Sequence, residues 1–192
     1  FKEINLNNIT GDFVECGVWR GGNIILLQKL NNLFQTNKMI YGYDTFEGMT
    51  EPDKNDYDIS SNLSADVLLQ SDKTKETNLW GVCSLESVKK NIQSCVNSTE
   101  NIKFIKGPVE TTLNDTSNLP DKISLLRLDT DWYNSTKKEL DVLYDKVMPG
   151  GIIIIDDYGH WGGSKKAVDD FFFNKYVWMH YVDYACRLII KD

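Results

Sequence analysis

The sequence has no run approaching the roughly 18 consecutive apolar residues a membrane-spanning helix needs, so no membrane partner is expected. Its first ten residues, FKEINLNNIT, lack the apolar core of a signal peptide. The chain begins with Phe rather than Met, which leaves room for a segment before Phe1. Cysteine is sparse: Cys16, Cys83, Cys95 and Cys186 are scattered, with no C-x-x-C pair and no His at zinc-ligand spacing. That excludes a zinc ribbon. It leaves reduced thiols, several of them buried as small apolar groups, and hence a cytoplasmic setting. Cations are also short. Lys and Arg number 21 against 28 Asp and Glu, for a net charge of −7, and no basic cluster of useful size occurs. No nucleic-acid partner is expected, because phosphate binding needs cationic surface. Repeats, linkers and low-complexity tracts are missing as well. What remains is an ordinary soluble composition, 41% hydrophobic and 26% charged over 192 residues, enough for one domain spanning 1–192.

The dominant pattern is a set of short apolar runs alternating with amphipathic segments. DFVECGV, MIYGYD, IKFIKG, ISLLRLD and GGIIIIDD read as five strands. NIILLQKLNNLF, SLESVKKNIQSC and NSTKKELDVLYDKV read as helices, the second capped by Ser84 and the third ended by Pro149-Gly150. Ser164 is placed to cap a further helix through Ala167 and Phe172. YVWMHYVDY and CRLIIKD form a closing antiparallel pair. The fourth and fifth strands are nearly all apolar, as central parallel strands covered on both faces should be. Five βα units and a hairpin give one doubly wound α/β sheet. Residues 45–60 are too long and polar for a plain connector. With a short helix in 61–70, they predict a lid-like excursion over about 45–82.

In such sheets ligands sit outside the carboxyl ends of the strands. The unusual residues cluster there. The first strand runs into Glu15, Gly17, Trp19, Gly21, Gly22 and Asn23. Glycines let backbone approach a ligand at a helix N-terminus, and a bare turn is the competing reading. The spacing is not G-x-G-x-x-G, which weakens a nicotinamide-dinucleotide reading. An acidic residue before the glycines would repel a pyrophosphate and suit an ammonium group. Asp44, ending strand two, is placed for ribose hydroxyls, or to cap a helix. Gly107, Val109 and Glu110 could meet a base, or simply turn into ETTL.

Four carboxylates form the strongest signal. LRLDTDWY brings Asp129 and Asp131, and IIIIDDY brings Asp156 and Asp157. Neighbouring strands would converge them, and clustered like charges in a partly buried site are costly. A hard divalent cation resolves that cost: Mg2+ by default, Mn2+ or Ca2+ as options. Helix capping by Asp131 and Asp157 is the plainer account, but does not readily explain two adjacent acidic strand ends. Phosphoryl or nucleotide-sugar chemistry would need basic partners. Arg127, Lys165 and Lys166 are the nearby cations, each read as solvated or structural. His160, a lone His in YGHWGG, is structural or substrate-lining more readily than catalytic. Trp132, Tyr133, Tyr158 and Trp161 flank the same opening and could stack on a sugar or aryl acceptor.

Together GDFVECGVWRGGN, YGYDTFEGM, LRLDTDWYNST, PGGIIIIDDYGHWGGSKKAVDDFF and VDYACRLIIK resemble the macrocin O-methyltransferase family across nearly all of residues 11–191. A more distant likeness is to catechol O-methyltransferase. The resemblance implies a Rossmann-like class I methyltransferase fold with a mostly parallel seven-stranded sheet. It implies S-adenosylmethionine and magnesium as cofactors, a hydroxylated small-molecule acceptor such as a sugar, and dimers or larger homo-oligomers. By position, Glu15, Gly17, Trp19, Gly21, Gly22 and Asn23 match the methionine side of the cofactor site. Asp44, Thr45 and Phe46 match its ribose side, and Gly107, Val109 and Glu110 its adenine side. Asp129, Asp156 and Asp157 match the metal ligands, with Asp129 also against the cofactor. Asp131 matches the general base, with His160 in reserve. The alternatives are a catechol-like diol acceptor and a noncatalytic cofactor-binding partner subunit.

Overall fold

The computed structural model describes residues 1–70 and 80–192. Residues 71–79 of the predicted lid lie outside the described residues. A short helix α1 (Lys2–Leu6) precedes β1 (Asp12–Cys16), α2 (Gly22–Phe34) and β2 (Ile40–Asp44). The excursion then carries α3 (Ala65–Gln70), followed by α4 (Leu85–Gln93), β3 (Ile102–Lys106) and α5 (Val109–Thr112). Next come β4 (Ile123–Leu128), α6 (Tyr133–Leu143), β5 (Val147–Ile155) and α7 (Gly162–Phe172). The hairpin β6 (Met179–Tyr181) and β7 (Arg187–Ile190) closes the chain.

These strands form one seven-stranded sheet of order β3-β2-β1-β4-β5-β7-β6. The first five strands in that order pair in parallel, and β7 runs antiparallel to both β5 and β6. The order reverses between β1 and β4, which opens a crevice at their carboxyl ends. Side chains alternate across the pleat. Phe13, Leu125 and Ile152 face one layer with α2 and α4, while Val14, Leu126 and Ile153 face the other with α6 and α7. Two apolar layers therefore clamp the sheet, and its strand ends are left for polar work. Among the described residues, no helix is long and apolar enough to cross a membrane.

Several expected boundaries shift for local reasons. Strand one ends at Cys16 rather than Val18, because Gly17 turns the chain at φ +88°. Pro149-Gly150 does not end α6, which stops at Leu143 and passes through a 3-10 turn, Tyr144–Lys146. The pair sits inside β5, where the register against β4 slips between Ile123 and Leu125. A bulge is where a strand tolerates proline. Ser164 does not cap α7; that helix starts two residues earlier, with Trp161 at the N-cap. Ser84 does cap α4, accepting the Ser87 amide at 3.2 Å.

Candidate active site

Glu15 stands in β1 at 1% exposure, directly beside Arg127 of β4 in the parallel register. Its Oε1 accepts from Asn23 Nδ2 at 2.8 Å and from Arg127 Nη1 at 3.0 Å. Its Oε2 is buried without a partner. Burial pushes the carboxyl up to about 7, against the pull of Arg127 and Asn23. A buried carboxylate with one idle oxygen calls for a donor that the protein does not supply, and a cationic one satisfies both charge and hydrogen bonding.

Gly17 follows, and a Cβ there would lie 1.9 Å from the Asp129 carbonyl oxygen. The glycine loop and the β4 end thus touch with no space for a side chain. At Gly22 a Cβ would meet nothing within 4 Å, so packing does not require that glycine. Asp44 fastens the same loop. Its Oδ2 accepts from the Val18 and Trp19 amides at 2.7 and 2.9 Å, and its Oδ1 from the Phe46 amide at 2.6 Å. A carboxylate offers about four acceptor sites, two on each oxygen, so Oδ2 is filled by its two amides and Oδ1 retains capacity for a ligand. Thr45 Oγ1 donates to the Gly48 carbonyl at 2.5 Å. Phe46 turns into the core, 3% exposed and edge-on to Phe104, away from the cleft lining.

Gly17, Trp19, Asp44 and Thr45 line a cleft of about 230 Å3 that continues past Gly107, Val109 and Glu110 to Asp129 and Asp131. Met49 and Trp80, bonded through their backbones at 2.9 Å, line it too. Glu110 contributes a second buried carboxylate oxygen without a partner, Oε2. Glu15 lies behind the lining within β1, and Gly21, Gly22 and Asn23 stand back from it at the head of α2.

Beside this cleft, Asp129, Asp156 and Asp157 each place one carboxylate oxygen within 4.8 Å of the others. The pairing of Leu128 with Ile155 brings the two acidic strand ends together. Burial holds Asp129 and Asp157 well above the usual carboxylate range, and repulsion from neighbouring aspartates adds to it. Three hard oxygens in mutual repulsion fit a divalent cation such as Mg2+. Capping does not account for them. The N-caps of α6 and α7 are Trp132 and Trp161, without side-chain caps, and the first amide of α6 is taken by Asp56 at 2.8 Å.

Asp131 projects from a left-handed backbone, φ +68°, onto the cleft wall. Burial raises its carboxyl to about 6, and the side chains of Trp161 and Asp157 oppose the shift. His160 sits elsewhere. Its Nδ1 lies 3.7 Å from Asp58 Oδ2, and its ring packs against Trp161 and Tyr184. Of the two candidate bases, Asp131 is the one on the cleft.

Two features escaped the sequence reading. Arg127, read as solvated or structural, donates to Asp129 Oδ2 at 2.6 Å and Asp156 Oδ2 at 2.9 Å as well as to Glu15. The available signal was a cation inside the apolar run LLRL, in register with an acid inside DFVEC. The described part of the excursion is also no free flap. The Tyr57 carbonyl accepts from the Gly162 amide, the Ile59 amide donates to the His160 carbonyl, and Trp132 Nε1 donates to the Thr50 carbonyl. Ala65, Leu69, Trp80, Trp132 and Trp161 form a small apolar cluster beneath it.

Comparison with known proteins follows the same lines. Residues 1–186 match the family model described as macrocin-O-methyltransferase. The chain is 31% identical over 166 residues to demethyldecarbamoylnovobiocin O-methyltransferase of Streptomyces niveus, covering 86% of this chain and 59% of that protein. It is 29% identical, over the same shares, to an 8-demethyl-8-(2,3-dimethoxy-alpha-L-rhamnosyl)-tetracenomycin-C 4'-O-methyltransferase of Streptomyces olivaceus. The solved O-methyltransferase NovP superposes with a TM-score of 0.83 at 28% identity, over 99% of this chain and 75% of that one. The chain thus spans 59% of the length of these two curated relatives.

Proposed function

The chain belongs to the macrocin O-methyltransferase family, and from that premise we propose that it is an S-adenosylmethionine-dependent, divalent-metal-assisted O-methyltransferase. The proposed acceptor is a hydroxyl of a sugar or glycosylated small molecule, in keeping with the rhamnosyl group named for the tetracenomycin relative. The proposed setting is cytoplasmic. The observation that carries the reading is the convergence of Asp129, Asp156 and Asp157 beside a cleft that begins at the glycine loop.

Each residue has a part. Glu15 receives the cofactor's ammonium on its idle Oε2. Asp44 holds the glycine loop and turns its remaining acceptor capacity to the ribose. Val109 and Glu110 border the adenine, where the idle Oε2 of Glu110 suits an amine donor. Asp129, Asp156 and Asp157 would hold magnesium. When bound, that ion acidifies and orients an acceptor hydroxyl. Methyl transfer breaks a sulfur–carbon bond and forms an oxygen–carbon bond, and the acceptor proton passes to a carboxylate oxygen of Asp131. A positioned general base contributes roughly 10²–10⁴-fold.

The test is methyl transfer from labelled S-adenosylmethionine to a panel of deoxysugar glycosides and catechols, with Mg2+ or with chelator. Metal-dependent labelling of a glycoside is expected. Labelling of catechols alone would move the acceptor class to aromatic diols. Undiminished transfer in chelator would end the metal reading, and no transfer to any acceptor despite cofactor binding would favour a noncatalytic subunit.

A further inference from the structure

Arg127 lies within β4 between two buried leucines, Leu126 and Leu128, where a charge is expensive unless it is paired. Its pairing is unusual. One guanidinium reaches Glu15 Oε1 at 3.0 Å, Asp129 Oδ2 at 2.6 Å and Asp156 Oδ2 at 2.9 Å. Nη1 is shared between Glu15 and Asp129, while Nη2 serves Asp156. Glu15 belongs to the proposed cofactor subsite, and the two aspartates belong to the proposed metal subsite. A single cation therefore balances carboxylates on both sides.

We infer that Arg127 is a positioning residue that couples the two subsites, so that metal and cofactor each weaken the binding of the other. The inference rests on the reading given under Proposed function. A divalent cation at Asp129 and Asp156 takes up the negative charge that those carboxylates present to the guanidinium. Arg127 is then balanced chiefly by Glu15 and claims Oε1 more fully. Glu15 becomes a poorer partner for an ammonium group. The converse holds when an ammonium occupies Glu15. Linkage makes the two effects equal in size. Couplings between sites run at about 5- to 150-fold, and one shared guanidinium places this one near the lower end, about tenfold.

The experiment uses the whole chain with S-adenosylhomocysteine and Mn2+ as probes. Calorimetry gives the S-adenosylhomocysteine affinity with and without Mn2+, and electron paramagnetic resonance gives the Mn2+ affinity with and without S-adenosylhomocysteine. Both affinities should fall about tenfold when the other probe is present. In Arg127→Lys the charge stays, but a point ammonium cannot span three carboxylates. There the coupling should shrink to within about twofold, with the circular dichroism spectrum unchanged. Equal affinities with and without the second probe in the native chain would overturn the inference. So would a mutual gain, or a full coupling retained in Arg127→Lys. The native-chain measurement stands even if the variant does not fold. Failure of either probe to bind would overturn the underlying reading too, whereas tight but independent binding overturns the coupling alone.

Discussion

Replacing Glu15 with Gln should make the protein more stable and a worse cofactor binder. Gln keeps the shape and an oxygen for Arg127 or Asn23, but removes the charge. In the folded chain, burial pushes the Glu15 carboxyl up to about 7 from its ordinary value of 4.5. A carboxyl with a raised folded-state pKa contributes stability that is fully present below its unfolded value and lost as pH rises through the folded one. The shift corresponds to a penalty on the order of 3 kcal/mol by pH 8. Arg127 keeps Asp129 and Asp156 in the variant, so its own charge stays paired. Glu15→Gln should therefore gain about 1–3 kcal/mol at pH 8 and almost nothing near pH 4.5. At roughly 2–4 °C per kcal/mol for a chain of this size, thermal melting can resolve that gain. Cofactor binding should move the other way. A hydrogen bond to a charged partner contributes about 1.5–3 kcal/mol, so S-adenosylhomocysteine should bind about 10- to 100-fold more weakly by calorimetry. Native affinity should also decline as pH falls through about 7, and the variant should lack that dependence. A variant that loses stability and affinity together would refute the reasoning, since Glu15 would then be a structural keystone. Unchanged affinity would refute its ligand role.

Further expectations follow from the same geometry. Asp156→Asn should abolish metal-dependent methyl transfer and weaken S-adenosylhomocysteine binding by no more than about threefold, since Arg127 loses one of its three carboxylates and leans further on Glu15 while the glycine loop is untouched; full activity in chelator would count against it. Asp44→Ala should weaken S-adenosylhomocysteine binding at least tenfold and lower stability by about 1–3 kcal/mol, because three backbone amides lose their acceptor. An unchanged calorimetric affinity would remove Asp44 from the cofactor site. Asp131→Asn should cut kcat by about 10²–10⁴ while S-adenosylhomocysteine still binds, whereas His160→Ala should cost much less. The reverse ranking in steady-state assays would pass the base role to His160.

The sheet was readable because its signals are local. Runs such as IIIIDD and LLRLD announce buried strands with acids at their ends, and the rule of ligands at carboxyl ends placed Asp129, Asp156 and Asp157 together. What escaped depends on register or on distant partners. Arg127 pairs with Glu15 only because β1 and β4 are adjacent at one particular alignment, which the apolar pattern of either strand does not specify. Phe46 follows Asp44 and Thr45 in sequence, yet a left-handed φ of +55° turns it into the core. Pro149-Gly150 looks like a helix stop and is instead a strand bulge, a distinction set by the slip against β4. The docking of the excursion through Asp56 and Tyr57 left no periodic trace.

That docking has a consequence for how the chain assembles. Asp56 meets the Tyr133 amide across 77 residues, and Thr50 meets Trp132 across 82. Tyr57 waits on Gly162, further along still. As the polypeptide leaves the ribosome, the excursion has nothing to settle on until the starts of α6 and α7 have been made. Contacts of such long sequence separation also close late in refolding. The rim of the cleft is therefore finished after its floor, and the excursion, made early, stays undocked until the acidic strand ends between residues 129 and 157 have been made.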